Sequence, residues 1–249
     1  MIQPPSVQLI AHRGYSAVAP ENTLAALEAA LAAGADAVEF DLQTAACGTP
    51  VLFHDPMLGR TTNGVGPLRR RPLAHLKALD AGSWFGPEFA HEKIPTLEEA
   101  LTLLEGRVQE VHLDIKGYRE MEDLDRMAAL VLARRPGDST VLVSSDWVVL
   151  NRFRQVAPEL RRGYLVEDPD RFSEAVDRAV VDEGSILSVA VELAGQQPEG
   201  LREAREAGVE LMTWTVDDAD TADWALSAGF LRIATNQVEA LKEWRASRP

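Results

Sequence analysis

Short apolar runs bounded by turn residues alternate along the chain with segments of helical period. Such runs read as buried strands, and apolar positions recurring every three or four residues read as amphipathic helices. Strands are expected at 7–11, 37–42, 51–53, 111–115, 141–144, 163–166, 186–191, 211–216 and 231–234. Helical segments fall between them, as at 24–33, 124–134 and 219–228. This alternation predicts βα units around a parallel sheet. Ala33-Gly34-Ala35, Ala207-Gly208-Val209 and Ala228-Gly229-Phe230 repeat one junction, in which a helix ends and a strand follows directly. Glycine there takes the left-handed conformation that closes a helix. If 51–53 extends the second strand, the count is eight.

Eight strands and 249 residues suit one (β/α)8 barrel, which takes roughly 250 residues. The expected fold is therefore α/β, a TIM-like barrel forming a single domain over 1–249. Residues 55–95 break the rhythm with Gly64, Gly66, Pro67, Pro72, Gly82, Trp84, Phe85, Gly86 and Pro87. They predict a small insertion after the second βα strand region, folded over one end of the barrel. Its aromatic residues favour order.

Composition narrows the function classes. With 46% hydrophobic and 26% charged residues the chain is an ordinary soluble globular protein. No apolar run approaches the ~18 residues of a membrane span, so no membrane insertion is expected. The start of the chain lacks a signal-peptide pattern. One cysteine, Cys47, leaves no internal disulfide and fits a reducing compartment; a cytoplasmic location is expected. A net charge of -14 argues against nucleic acid, whose binders need a basic face. A small phosphorylated substrate needs only a few local cations. Oligomeric state has no signature here. Phosphate-loop, His-Glu-x-x-His and Cys-x-x-Cys patterns are all missing.

The candidate chemistry gathers at strand ends. Glu39 and Asp41 flank Phe40, so both carboxylates share one face of a strand. They repel unless a proton or a cation lies between them. Mg²⁺ or Ca²⁺, which take oxygen ligands, suit that position; a solvated pair is the plainer alternative. His12-Arg13-Gly14 follows the first strand and His54-Asp55-Pro56 follows 51–53. Two histidines can divide acid and base work near neutral pH. Arg13 offers a planar fork for phosphate oxygens, and Gly14 permits close backbone approach. Asp55 either orients a ring or caps the next turn, with capping the simpler reading. In His112-Leu113-Asp114-Ile115-Lys116, Asp114 and Lys116 share a face, as a metal ligand beside a phosphate clamp or as a structural ion pair. His112 lies deeper on that face, as a core or supporting residue. Trp214 either packs or stacks on an apolar part of a substrate. Asn22 or Thr23 supplies the N-cap of the first helix, and Glu21 stands beside them. His75 and His91 read as loop residues.

Taken in order, Ala11-His12-Arg13-Gly14, Pro20-Glu21-Asn22-Thr23, Glu39-Phe40-Asp41, His54-Asp55 and Leu58-Gly59-Arg60-Thr61-Thr62-Asn63-Gly64 resemble the glycerophosphodiester phosphodiesterase family. Leu79-Asp80-Ala81-Gly82-Ser83-Trp84-Phe85, Ile94-Pro95-Thr96-Leu97-Glu98-Glu99-Ala100 and Trp214-Thr215-Val216 extend the resemblance over nearly the whole chain. It implies a TIM-like barrel hydrolysing glycerophosphodiesters to glycerol 3-phosphate and an alcohol. It further implies His12 and His54 as the acid–base pair and a divalent cation on Glu39 and Asp41, with Asp114 as the third carboxylate, directly or through water; for a cytoplasmic enzyme Mg²⁺ is expected before Ca²⁺. Arg13 and Lys116 would bind phosphate, and Trp214 would line the alcohol side. The family usually has glutamate where this chain has Asp114, which bears on metal preference. It often has Thr-Asp followed by Pro where this chain has Thr235-Asn236-Gln237-Val238, which bears on substrate range. The attacking group is either the substrate's own glycerol hydroxyl or water. Alternatives are a lipid phosphodiesterase on the same barrel, which liposome hydrolysis would reveal, and a silent phosphodiester-binding protein.

Overall fold

The computed structural model describes residues 7–135 and 139–248. Nine strands follow in chain order: β1 Gln8–Ala11, β2 Ala37–Thr44, β3 Pro50–Leu52, β4 Glu110–Ile115, β5 Thr140–Ser144, β6 Arg161–Val166, β7 Ile186–Ala190, β8 Glu210–Trp214 and β9 Arg232–Thr235. All except β3 pair in parallel, and β1 joins both β2 and β9, so eight strands close into a TIM barrel. The helices are α1 Leu24–Ala33, α2 Leu73–Ala78, α3 Leu97–Leu104, α4 Met121–Arg134, α5 Trp147–Val156, α6 Phe172–Val181, α7 Val191–Ala194, α8 Pro198–Glu206, α9 Ala219–Ala228 and α10 Val238–Ala246.

Side-chain alternation sorts each strand into two environments. On β2, Val38, Phe40 and Leu42 join the core shared with the surrounding helices, which leaves Glu39, Asp41 and Gln43 inside the ring. The ring interior is filled by Ile10, Ala37, Val141, Val143, Leu165, Ile186, Met212 and Ala234. Its N-terminal end is plugged by ions: Glu110 meets Arg232, Arg161 and the ring of His112. His112 is fully buried there, the supporting residue its depth on the strand predicts. The C-terminal mouth is left for polar groups from the strand ends, the end where TIM barrels do chemistry.

The three helix-ending glycines behave as their junctions predict. Gly34 and Gly229 cap α1 and α9 at φ 72° and 94°, and Gly208 follows α8 at φ 84°. Some expected bounds shift. The first strand starts at Gln8 rather than residue 7. The expected strand to 191 stops at Ala190, where the chain turns directly into α7. β8 ends at Trp214, two residues early, and β9 lies one residue late.

One difference matters for the site. Residues 50–52 do not extend β2 in its own direction. β2 overhangs the barrel mouth to Thr44, and β3 folds back antiparallel, pairing Leu42 with Leu52 and Thr44 with Pro50. The following residues are thereby carried back down to the level of Asp41, whose carbonyl accepts from Phe53 N–H at 3.0 Å. The excursion beyond has its own apolar centre, Val51, Phe53, Leu58, Leu68, Leu76, Leu79 and Ile94. Trp84, Phe85 and Phe89 add two edge-to-face ring contacts at 5.7 and 5.5 Å.

Candidate active site

The turn after β1 is shaped by backbone constraints. His12 N–H donates to Thr235 of β9, and Gly14 N–H to Glu39 of β2. Between them Arg13 takes φ 57° and Gly14 φ 79°, a left-handed pair that costs a non-glycine residue about 1–3 kcal/mol. At Gly14 a Cβ would lie 2.6 Å from the backbone of Ala26, so only glycine lets the turn rest on α1. The strain aims Arg13. Its N–H donates to Glu39 Oε2 at 2.8 Å, and its guanidinium reaches Asp41 at 3.2 Å and Glu21 at 2.9 Å.

Glu39, Asp41 and Asp114 converge. Parallel register sets Asp41 beside Asp114, and one oxygen from each of the three carboxylates lies within 4.8 Å of the others. All three are buried. Burial, then Asp41 and Asp114, push the Glu39 carboxyl well above its ordinary value. Burial also raises Asp114, despite Lys116 at 2.7 Å. For Asp41 burial is outweighed by Arg13 and Lys116, which hold it below its ordinary value. Among the described residues, the buried Asp114 Oδ1 has no hydrogen-bond partner. Three carboxylates against two cations, Arg13 and Lys116, leave one negative charge in this innermost group. That donor set fits a divalent cation, which would turn the group positive by one and match a phosphodiester's single negative charge.

Each histidine is held through Nδ1. His12 Nδ1 lies 2.9 Å from Asn236 Oδ1, and its Nε2 lies 4.0 Å from Glu39. Burial, then Arg13, lowers its pKa to about 4. His54 Nδ1 lies 2.6 Å from Asp55 Oδ1. Asp55 also accepts two bonds from Arg60, which with the His54 contact keep its pKa near about 2. Arg60 in turn bonds twice to Glu21, so a chain of ion pairs runs from His54 to Arg13. Gln43 of β2 fixes the backbone below by donating to the carbonyls of His54 and Asp55.

A cavity of about 170 Å³ opens over these groups. His12, Arg13, Glu39, His54, Asp114 and Lys116 line one side. Val143, Leu165, Met212, Trp214 and Ala234 line the other, with Ser188 and Glu167 as its polar points. The polar side comes from β1, β2, the residues after β3, and β4; the apolar side comes from β5 to β9. All the residues singled out as acid–base, phosphate-binding, metal-binding and alcohol-side groups therefore meet around this cavity, except that Asp41 lies beneath it.

Several contributors escaped sequence reasoning. Thr23 supplies the N-cap of α1, accepting from Ala26 N–H, which frees Asn22 for another task. At φ 59° its amide clasps Asp41, donating to Oδ2 at 2.8 Å and accepting from the Asp41 N–H at 3.0 Å. Asn22→Ala is expected to cost about 1–3 kcal/mol, since both bonds are buried; chemical denaturation would show it. Asp55 orients a ring rather than merely capping a turn. Asn236, noticed as a departure in a loop, holds His12. Arg60 stood within a quoted motif but carried no signal of its own, and Glu167 carried none.

The chain was compared with known families, proteins and structures. The model of the glycerophosphoryl diester phosphodiesterase family matches residues 12–240. A glycerophosphodiester phosphodiesterase of Caldanaerobacter subterraneus subsp. tengcongensis is 31% identical over 239 residues, covering 94% of this chain and 95% of its own. A phosphodiesterase from Oleispira antarctica, solved in complex with the product sn-glycerol-3-phosphate, superimposes with a TM-score of 0.88 at 31% identity, covering 96% of this chain and 97% of that one. A glycerophosphodiester phosphodiesterase from Agrobacterium tumefaciens gives 0.81 at 29% identity, covering 96% and 99%. The chain belongs to the glycerophosphoryl diester phosphodiesterase family.

Proposed function

We propose that this protein hydrolyses small glycerophosphodiesters to glycerol 3-phosphate and an alcohol, with His12 and His54 as the acid–base pair. The observation that carries this reading is the placement of two Nδ1-anchored histidines on the rim of a buried three-carboxylate cluster. Glu39, Asp41 and Asp114 would hold one divalent cation, Mg²⁺ by preference and Ca²⁺ next, which when bound neutralises phosphate charge.

The chain's own groups account for the rest. Arg13 and Lys116 add positive charge where the phosphoryl oxygens gather negative charge in the transition state. His12, facing a neutral amide, removes the proton from the attacking hydroxyl, whether of the substrate's glycerol or of water. His54, backed by the Asp55 carboxylate, delivers a proton to the departing alkoxide as its bond to phosphorus breaks. If the glycerol hydroxyl attacks, a cyclic phosphate forms, and the same residues exchange roles while water opens it. Trp214 and the apolar wall shelter the reaction from bulk water on the alcohol side.

We read the chain as one catalytic barrel, with 55–95 as an insertion that contributes Asp55 and Arg60. Among the described residues no helix is long and apolar enough to cross a membrane. Cys47 is exposed and free, in keeping with the cytoplasm. The test is release of glycerol 3-phosphate from glycerophosphocholine and glycerophosphoethanolamine by chelated protein refilled with Mg²⁺, Ca²⁺ or Mn²⁺. Release restored by a cation is expected. No release with any of the three, while the protein still binds the diester, would replace hydrolysis with binding. Preference for liposomes would move the substrate to lipid.

A further inference from the structure

We propose that Asp217 and Asn236 are positioning residues that fix His12 as the Nδ1–H tautomer, leaving Nε2 bare toward the mouth. The proposal rests on reading His12 as the base, but the tautomer is observable without turnover.

The argument is one of donors and acceptors. An ionised Asp217 can only accept. It takes the backbone N–H of Asn236 at 2.7 Å, the Thr235 hydroxyl at 3.0 Å and the side-chain Nδ2 of Asn236 at 2.8 Å. The last bond settles which end of the Asn236 amide faces which way: nitrogen toward Asp217, oxygen toward β1. That oxygen accepts from the Ser16 hydroxyl at 2.7 Å and lies 2.9 Å from His12 Nδ1. A carbonyl oxygen carries no proton, so His12 Nδ1 must supply one. In a neutral ring Nε2 then keeps its lone pair, on the side facing Glu39 and the cavity. The opposite tautomer would set two lone pairs against each other. Asp217 does not line the cavity over the carboxylates, and its bonds reach His12 through Asn236 and Thr235.

The chain of bonds can be inverted. In D217N the new amide can present a donor to Asn236 Nδ2, itself a donor, so the Asn236 side chain is released to flip. In N236D two carboxylates face each other. In the double variant D217N/N236D the introduced amide donates to the introduced carboxylate, which again accepts from His12 Nδ1. The experiment measures kcat and KM for glycerophosphoethanolamine with Mg²⁺ present. It is paired with long-range ¹H–¹⁵N spectra of the histidine rings and with thermal unfolding.

Expected is an Nδ1–H signature for His12 in the parent protein. D217N should lower kcat about tenfold or more, with mixed tautomers and little change in KM, whereas N236D, whose carboxylate can only accept, should keep the Nδ1–H signature. The double variant should restore the signature and return kcat to within about threefold. An Nε2–H signature in the parent would overturn the proposal. So would D217N with parental kcat, or a double variant no faster than D217N. Loss of folding in a single variant but not in the double would show in the unfolding curves and leaves the double variant to decide. A parent protein that never releases glycerol 3-phosphate would refute the hydrolytic reading alone, because the spectra still report the tautomer.

Discussion

Replacing His54 by alanine is expected to lower turnover by about two to four orders of magnitude, the range for loss of one acid–base group, with the fold intact. The side chain is part-exposed and, among the described residues, its one side-chain hydrogen-bond partner is Asp55. Its removal therefore opens no core and leaves Asp55 paired with Arg60. His12→Ala should lose as much, because the backbone bonds of its turn do not use the ring. Circular dichroism and melting curves beside steady-state rates would separate chemistry from folding. Retained turnover in either variant would remove that histidine from the mechanism. A substrate with a good leaving alcohol distinguishes the two: it should rescue loss of the acid, assigned to His54, and not loss of the base.

The second large effect concerns the carboxylates. Glu39 and Asp114 are held above their ordinary values, so each binds a proton more readily folded than unfolded. Their contribution to stability is full below the unfolded values of about 4 and is lost as pH rises through the raised ones. Asp41, held low by Arg13 and Lys116, works in the opposite sense, so Glu39 and Asp114 set the direction. Chelated protein should therefore melt lower at neutral pH than its folded contacts would otherwise allow. A divalent cation at a hundred times its dissociation constant should restore about 2.7 kcal/mol, or roughly 5–10 °C in a chain of this size. The gain should shrink as acid protonates the same carboxylates. Glu39→Gln should raise the cation-free melting temperature and erase most of the gain. A melting temperature indifferent to Mg²⁺ and Ca²⁺ in the parent protein would refute the metal site.

Much of this was legible because strands impose period two. Glu39 and Asp41 share a face whatever surrounds them, and the same rule joins Asp114 to Lys116. The apolar runs located every ring strand to within a residue or two, and glycines at helix ends marked where strands begin. What stayed hidden depends on distance through space. Asn22 satisfies a capping pattern as well as Thr23 does, and only the packed structure shows which one caps and which clasps Asp41. Asp55 and Asn236 look like turn residues because they are; their side chains happen to face rings. Nor does a three-residue run reveal its direction. The reversal at β3 became visible only with its pairing to β2, and without that reversal His54 would lie beyond the mouth.

The pairing of β1 with β9 carries a further implication. The ring is sealed by one of its last-made strands, and the group that steadies His12 arrives with it. A chain interrupted before residue 232 could hold every carboxylate of the cluster yet lack both the wall beside β1 and the anchor for the imidazole.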